Sequence, residues 1–124
     1  MKTKHALVTG GAGFIGSNLT KELVSRGVKT TVVDNLSNGH TEFLPAGCEL
    51  LVEDFASTAC LDRIRSKEFD VVFHLAAIPR VSYSVEHPVE THETNVNSTL
   101  KLMEACRDNV RRFVFASSSS VYGG

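Results

Sequence analysis

Residues 5–16 read H-A-L-V-T-G-G-A-G-F-I-G, a short apolar run that passes through Gly10, Gly13 and Gly16 directly into a helical pattern. In such a passage a strand must turn sharply into a helix without the two colliding. Gly10 can adopt the positive φ that the turn needs, Gly13 leaves the backbone N–H groups approachable, and Gly16 lets helix and strand pack closely. The helix, predicted over about Phe14 to Arg26, aims its N-terminus and roughly half a unit of positive charge at the space in front of the loop. Strand, glycine spacing and helix together constrain the chain to an α/β unit that holds an anion at the turn.

The next strand narrows the anion to a dinucleotide pyrophosphate. V-K-T-T-V-V-D ends in Asp34, 18 positions beyond Gly16, where a dinucleotide-binding unit carries the acid that accepts hydrogen bonds from the adenosine ribose. A carboxylate there repels a 2′-phosphate, and no arginine follows until Arg63, so NAD is expected in preference to NADP. The plainer use of Asp34 is to cap a turn with Asn35 and Asn38-Gly39. Candidate cofactor-binding residues are therefore Gly10, Gly13, Phe14, Ile15 and Gly16 in the loop and helix start, and Asp34, Asn35 and Asn38 after the second strand.

At 124 residues and 42% hydrophobic content the chain suffices for one α/β domain, residues 1–124, with no room for a second. The net charge of −1 comes with scattered lysines and arginines, which form neither a basic stripe for nucleic acid nor a polybasic membrane anchor. No segment approaches a membrane span, and T-G-G-A-G breaks the apolar start too early for a signal peptide, so a cytoplasmic protein is expected. Cys48, Cys60 and Cys106 are odd in number and lack C-x-x-C spacing, which suits reduced core thiols. His87 and His92 stand five apart, poor helical spacing for two ligands, and no cysteine or carboxylate completes a set, so no metal is expected.

Strand and helix signals then alternate, the mark of a parallel sheet. Strands are predicted at Lys4 to Thr9, Val28 to Asp34, Cys48 to Val52, Asp70 to Leu75 and Arg111 to Ala116. Helices are predicted at Phe14 to Arg26, Ser57 to Lys67 and Val89 to Asp108, the last with Val89, Val96, Leu100, Met103 and Cys106 along one side. Right-handed crossovers order the strands 3-2-1-4-5, a doubly wound sheet of Rossmann type. The loop from Asn35 to Gly47 is the main irregular stretch.

Five segments in order carry a family resemblance along nearly the whole chain: T-G-G-A-G-F-I-G from Thr9, V-V-D-N-L-S-N-G from Val32, V-E-D-F from Val52, V-V-F-H-L-A-A from Val71 and F-V-F-A-S-S-S-S-V-Y-G from Phe113. The chain resembles the N-terminal part of an extended short-chain dehydrogenase/reductase of the NAD-dependent nucleotide-sugar epimerase/dehydratase family. That resemblance implies that Asp54 and Phe55 hold the adenine, with Asp54 accepting from its amino group. It further implies that Leu75, Ala76 and Ala77 line the phosphate and ribose path, and that Asn95 lies near the nicotinamide. Ser118, four residues before Tyr122 of V-Y-G, matches the catalytic hydroxyl that bonds the sugar oxygen destined to become a carbonyl. Ser117 and Ser120 read as turn caps. Family members that dehydrate the sugar carry an acidic pair after that hydroxyl. Ser119 and Ser120 stand there instead and supply no carboxylate, so 4-epimerisation of a nucleotide-sugar is the implied activity.

The family's base is the tyrosine of a Y-x-x-x-K motif, which this sequence lacks. Tyr83 is followed four residues on by His87, and Tyr122 stands two residues from the end. The resemblance therefore places the base, the last strands and the sugar-nucleotide domain beyond Gly124, and an incomplete Rossmann unit that self-associates, as a homodimer or otherwise, is expected. The rival readings are a non-catalytic dinucleotide-binding or regulatory module, a half-fold completed by a partner chain, and a nucleotide-sugar dehydratase or other extended short-chain dehydrogenase/reductase. His74 is expected as a hydrogen-bonded core residue, and Arg80 either approaches phosphate or is solvated. G-x-S-x-G is absent, and no Gly-Lys-Ser/Thr follows the glycine loop, which excludes serine-hydrolase and P-loop chemistry.

Overall fold

The computed structural model describes residues 2–123. Five parallel strands, β1 (His5–Thr9), β2 (Lys29–Asp34), β3 (Glu49–Val52), β4 (Val71–His74) and β5 (Arg112–Phe115), form one sheet in the order β3-β2-β1-β4-β5. The helices are α1 (Phe14–Ser25), α2 (Thr58–Arg65), α3 (Val81–Glu86), α4 (Pro88–His92) and α5 (Thr99–Cys106). Every residue of β1 is buried, as a central strand covered on both faces must be.

Because side chains alternate across a strand, the core divides between the two faces. Leu7, Val33 and Val72 join Phe55, Ile64, Phe69 and Leu102 on the face covered by α2 and α5. Ala6, Val8 and Val32 meet Leu23 of α1 on the other. Each large aliphatic group so buried contributes about 1.5–3 kcal/mol relative to exposure. At the start of α2, Ser57 Oγ accepts from the Cys60 N–H at 3.2 Å, while Arg63 and Arg65 occupy the last turn, where the helix dipole favours cations.

The expected strand order is the observed one, and strand bounds move by a residue. The predicted helix over Val89 to Asp108 is instead three pieces: α4 opened by Pro88, a π-helical turn over Glu93–Ser98, and α5. Ahead of them lies α3, where the sequence pattern predicts no helix. Its six residues are too few to show a period, and it stops at His87 (φ −130°, ψ 61°) because the residue before a proline disfavours helix. The side of α5 that packs inward also differs. Ser98, Thr99, Leu102, Ala105 and Cys106 are buried, whereas Val89, Val96, Leu100 and Met103 are exposed. The segment carries apolar residues on two sides, and the one that turns inward brings Leu102, Ala105 and Cys106 into the core with Cys60, Leu61 and Ile64 of α2. Among the described residues no helix is long and apolar enough to cross a membrane.

Candidate functional site

A cleft of about 470 Å³ opens along the carboxyl ends of the strands. At its centre β1 ends in Gly10, whose φ of 69° turns the chain while its N–H donates to the Val33 carbonyl at 2.9 Å. A Cβ on Gly10 would lie 2.9 Å from the backbone of Ala76. One on Gly16 would overlap the Gly10 carbonyl oxygen and lie 2.7 Å from Gly11 Cα, so only glycine lets α1 start this close to β1. Gly13 caps α1 with no side chain bond, and the first turn carries no acid. The leading N–H groups of α1 are thus left for an anion in the cleft, a donor set and a side-chain-free cradle that fit a pyrophosphate.

The contacts of Asp34 show the turn cap. Its Oδ2 accepts from the Ala12 N–H at 3.0 Å and its Oδ1 from the Leu36 N–H at 2.7 Å, which fixes a turn with Leu36 at φ 64°. The same carboxylate lines the cleft, and each oxygen keeps a further lone pair for a hydroxyl. Asn35 and Asn38 line it too, with Asn35 Oδ1 accepting from the Ser37 N–H at 3.0 Å. Arg63 lies away from the cleft, bonded to Glu49 at the start of β3 and to Glu68.

Asp54 and Phe55 follow β3 and line the same cleft. The Asp54 carboxylate takes the Ala56 N–H at 2.7 Å, and the Phe55 ring is buried in the core, edge-on to His74 at 4.7 Å, so Phe55 offers a ligand its backbone. Opposite them runs the wall Leu75, Ala76, Ala77. Its backbone is held from beneath: Thr9 Oγ1 accepts the Leu75 and Ala76 N–H groups at 3.0 and 3.1 Å. The Thr9 proton is then free for His74 Nδ1 at 2.6 Å, which places the ring proton on Nε2, bonded to Thr99 Oγ1 at 2.9 Å. His74 is the expected core histidine, and burial lowers its pKa to about 4.

Asn95 does not line the cleft. Its amide instead clamps Ile78, accepting from that N–H at 2.8 Å and donating to that carbonyl at 2.9 Å. Phe14 and Ile15 are exposed outside the cleft, and Gly16 serves as packing. Ser118 also lies apart, exposed and capping the turn Ser119–Tyr122 by accepting the Ser120 N–H at 3.1 Å.

The structure adds Glu53, Pro79, Arg80, Tyr83, Glu90 and Thr94 to the cleft. Of these the sequence singled out Arg80; Glu53 sits inside the V-E-D-F segment after β3 without a role of its own, and Tyr83, Glu90 and Thr94 belong to no motif and are brought in by α3, α4 and the π-helical turn. The Tyr83 hydroxyl donates to Glu90 Oε2 at 2.7 Å and its ring stacks on His87 at 4.4 Å. The bond to Glu90 raises the phenol pKa, the wrong direction for a base. Among the described residues no group of three or more His, Cys, Asp or Glu is placed to hold a metal.

Comparison with known proteins places these features in context. Residues 6–124 match a family model described as NAD dependent epimerase/dehydratase family. The chain is 38% identical over 123 residues to a UDP-N-acetyl-alpha-D-glucosaminuronate decarboxylase of Bacillus cytotoxicus, covering 97% of this chain and 38% of that protein. It is 39% identical over 121 residues to a UDP-glucose 4-epimerase of Azospirillum brasilense, covering 96% and 35%. A UDP-N-acetylglucosamine 4-epimerase from Methanobrevibacter ruminantium, solved with UDP-N-acetylmuramic acid, superposes with a TM-score of 0.88 at 41% identity, covering 99% and 40%. A Thermus thermophilus UDP-glucose 4-epimerase complexed with NAD superposes with a TM-score of 0.75 at 41% identity, covering 85% and 34%. The chain thus spans little more than a third of the length of the relatives it matches.

Proposed function

We propose that this chain, which belongs to the NAD dependent epimerase/dehydratase family, binds NAD in the cleft and forms the cofactor-holding part of a nucleotide-sugar 4-epimerase. One juxtaposition carries the reading: the uncapped first turn of α1, with no side chain at Gly13, faces the same cleft as Asp34 at the end of the neighbouring strand. Gly13 and the first-turn N–H groups would hold the pyrophosphate and Asp34 the adenosine ribose. Asn38, Asp54 and the Phe55 backbone would flank the adenine, and Leu75 to Ala77 the second ribose, with Asn95 keeping that wall in place through Ile78. When bound, NAD supplies reversible acceptance of hydride from a sugar carbon. Ser118, just past β5, would hydrogen-bond the sugar oxygen. Neither tyrosine supplies a base, since Tyr83 is committed to Glu90 and Tyr122 is 92% exposed in the terminal turn. The exposed apolar side of Val89, Val96, Leu100 and Met103 supports self-association, and three free cysteines suit a reducing, cytoplasmic setting.

Calorimetric titration of NAD and NADP into wild type and Asp34→Arg tests the cofactor assignment. The wild type should prefer NAD, and the substitution should weaken NAD at least tenfold while tightening NADP, because repulsion of a 2′-phosphate becomes attraction. An unchanged preference would remove Asp34 from the ribose. The same protein should show no turnover of UDP-glucose or UDP-galactose in a coupled assay, since a missing general base alone costs about 10²- to 10⁴-fold. Turnover that Ser118→Ala abolishes would make one of the two tyrosines the base. Light scattering at micromolar concentration should show a dimer or larger species, and a stable monomer would refute the association.

A further inference from the structure

Four carboxylates line the cleft, Asp34, Glu53, Asp54 and Glu90, against one cation, Arg80. Each carboxylate already has a partner within the protein. Asp34 takes the Ala12 and Leu36 N–H groups, Asp54 the Ala56 N–H, Glu53 the Ser57 hydroxyl at 2.9 Å and Glu90 the Tyr83 hydroxyl. Among the described residues the Arg80 guanidinium makes no ion pair and no side-chain hydrogen bond. Its backbone, by contrast, is fixed. Thr9 holds Leu75 and Ala76, Asn95 holds Ile78, Pro79 has its own φ locked by its ring, and the Arg80 carbonyl accepts the Ser84 N–H at 3.0 Å as α3 begins. The sheet order sets Arg80 apart from three of the four carboxylates, while the fourth, Glu90 on α4, follows β4 as Arg80 does and is engaged by Tyr83. Asp34, Glu53 and Asp54 follow β2 and β3, the glycine loop follows β1, and Arg80 follows β4 on the opposite side of that loop.

We infer that Arg80 is a specificity residue of this cleft that pairs with the diphosphate of a bound nucleotide. The inference rests on the cofactor reading above and extends it to a side chain. A ligand lying along the strand ends meets hydrogen-bond acceptors under its hydroxyl- and amine-bearing half, N–H donors at the loop, and then a guanidinium whose planar fork matches phosphate oxygens. The same chemistry belongs to the pyrophosphate of NAD and to the diphosphate of a nucleotide-sugar.

The test compares wild type, Arg80→Gln and Arg80→Lys, with Arg107→Gln on α5's exposed end as a remote control. NAD, ADP-ribose and adenosine are titrated into each, and UDP-glucose into the NAD-loaded protein, with melting temperatures recorded alongside. If the partner is the dinucleotide, Arg80→Gln weakens NAD and ADP-ribose about tenfold and leaves adenosine unchanged. Arg80→Lys then recovers only part of the loss, since it keeps the charge without the fork, and added salt narrows the gap between wild type and Gln variant. If the partner is the nucleotide-sugar, NAD is unaffected and UDP-glucose weakens tenfold. Either pattern supports the inference. Equal affinities in wild type and Arg80→Gln, or a loss shared by adenosine, would overturn it while leaving NAD binding intact. A wild type that binds no NAD would overturn the cofactor reading, and this inference with it.

Discussion

Gly16→Ala is expected to cost the protein both stability and NAD binding, whereas Gly13→Ala should cost binding alone. At Gly16 the added methyl meets only backbone, the Gly10 carbonyl and Gly11 Cα, and no side-chain rotation relieves it. The helix must back away from the loop, an overpacking penalty at or above the usual range of about 1–3 kcal/mol. Against a total stability of roughly 5–15 kcal/mol, a fall in melting temperature on the order of 10 °C follows. At Gly13 the φ of −77° suits any residue, and a Cβ would meet only the Gly10 carbonyl oxygen at 3.4 Å. The fold accepts that methyl, which stands where phosphate must approach the N–H groups. NAD affinity should fall more than tenfold with the melting temperature nearly unchanged. Gly27→Ala serves as a control: φ is 76° with nothing within 4 Å, so strain of about 1–2 kcal/mol appears without a binding defect. Differential scanning calorimetry with and without NAD reads all three. If Gly16→Ala melts and binds like wild type, the close approach of α1 to β1 is not what builds the cleft.

Acid should destabilise this protein in a window set by His74. The unfolded imidazole takes a proton near 6.5, while the folded one does so only at about 4 because burial disfavours its charge. Between those values the unfolded chain binds a proton that the fold refuses. Stability is therefore intact above pH 6.5 and is lost as pH falls toward 4, by about 3 kcal/mol at 1.36 kcal/mol per pKa unit. Protonation also breaks the chain of bonds, since Nδ1 would become a donor facing the Thr9 hydroxyl that now donates to it. His5, whose pKa burial also lowers, adds to the slope in the same direction. Glu49 and Asp70, held low by the Arg63 guanidinium and by the His5 and Lys4 N–H groups respectively, act only in more acid solution. Urea unfolding of wild type and His74→Gln from pH 7.5 to 4.5 measures the effect. The variant should start less stable and show a flatter profile, and parallel profiles would exclude His74 as the source.

The strand order, the glycine loop and the place of Asp34 were legible in the sequence because each follows from local chemistry. A turn that needs a positive φ selects Gly10, a helix that must start beside a strand selects Gly16, and strands buried on both faces announce themselves as V-I-L-F runs. Asp34 shows the limit of that legibility, since turn cap and ligand acceptor are compatible uses of one carboxylate, and the structure shows the cap and a place in the cleft wall. Tertiary structure alone decided which stripe of α5 faces inward, because the segment carries apolar residues on two sides and only its packing with α2 selects one. It also decided that Asn95 acts on Ile78 from outside the cleft, that Thr9, His74 and Thr99 join into one buried chain, and that Arg80 stands across the glycine loop from Asp34, Glu53 and Asp54. Those partners lie 17 to 67 positions apart, and Arg80 is more than 40 positions from Asp34. No period or spacing encodes such pairs; they meet only when the sheet brings the strand ends together.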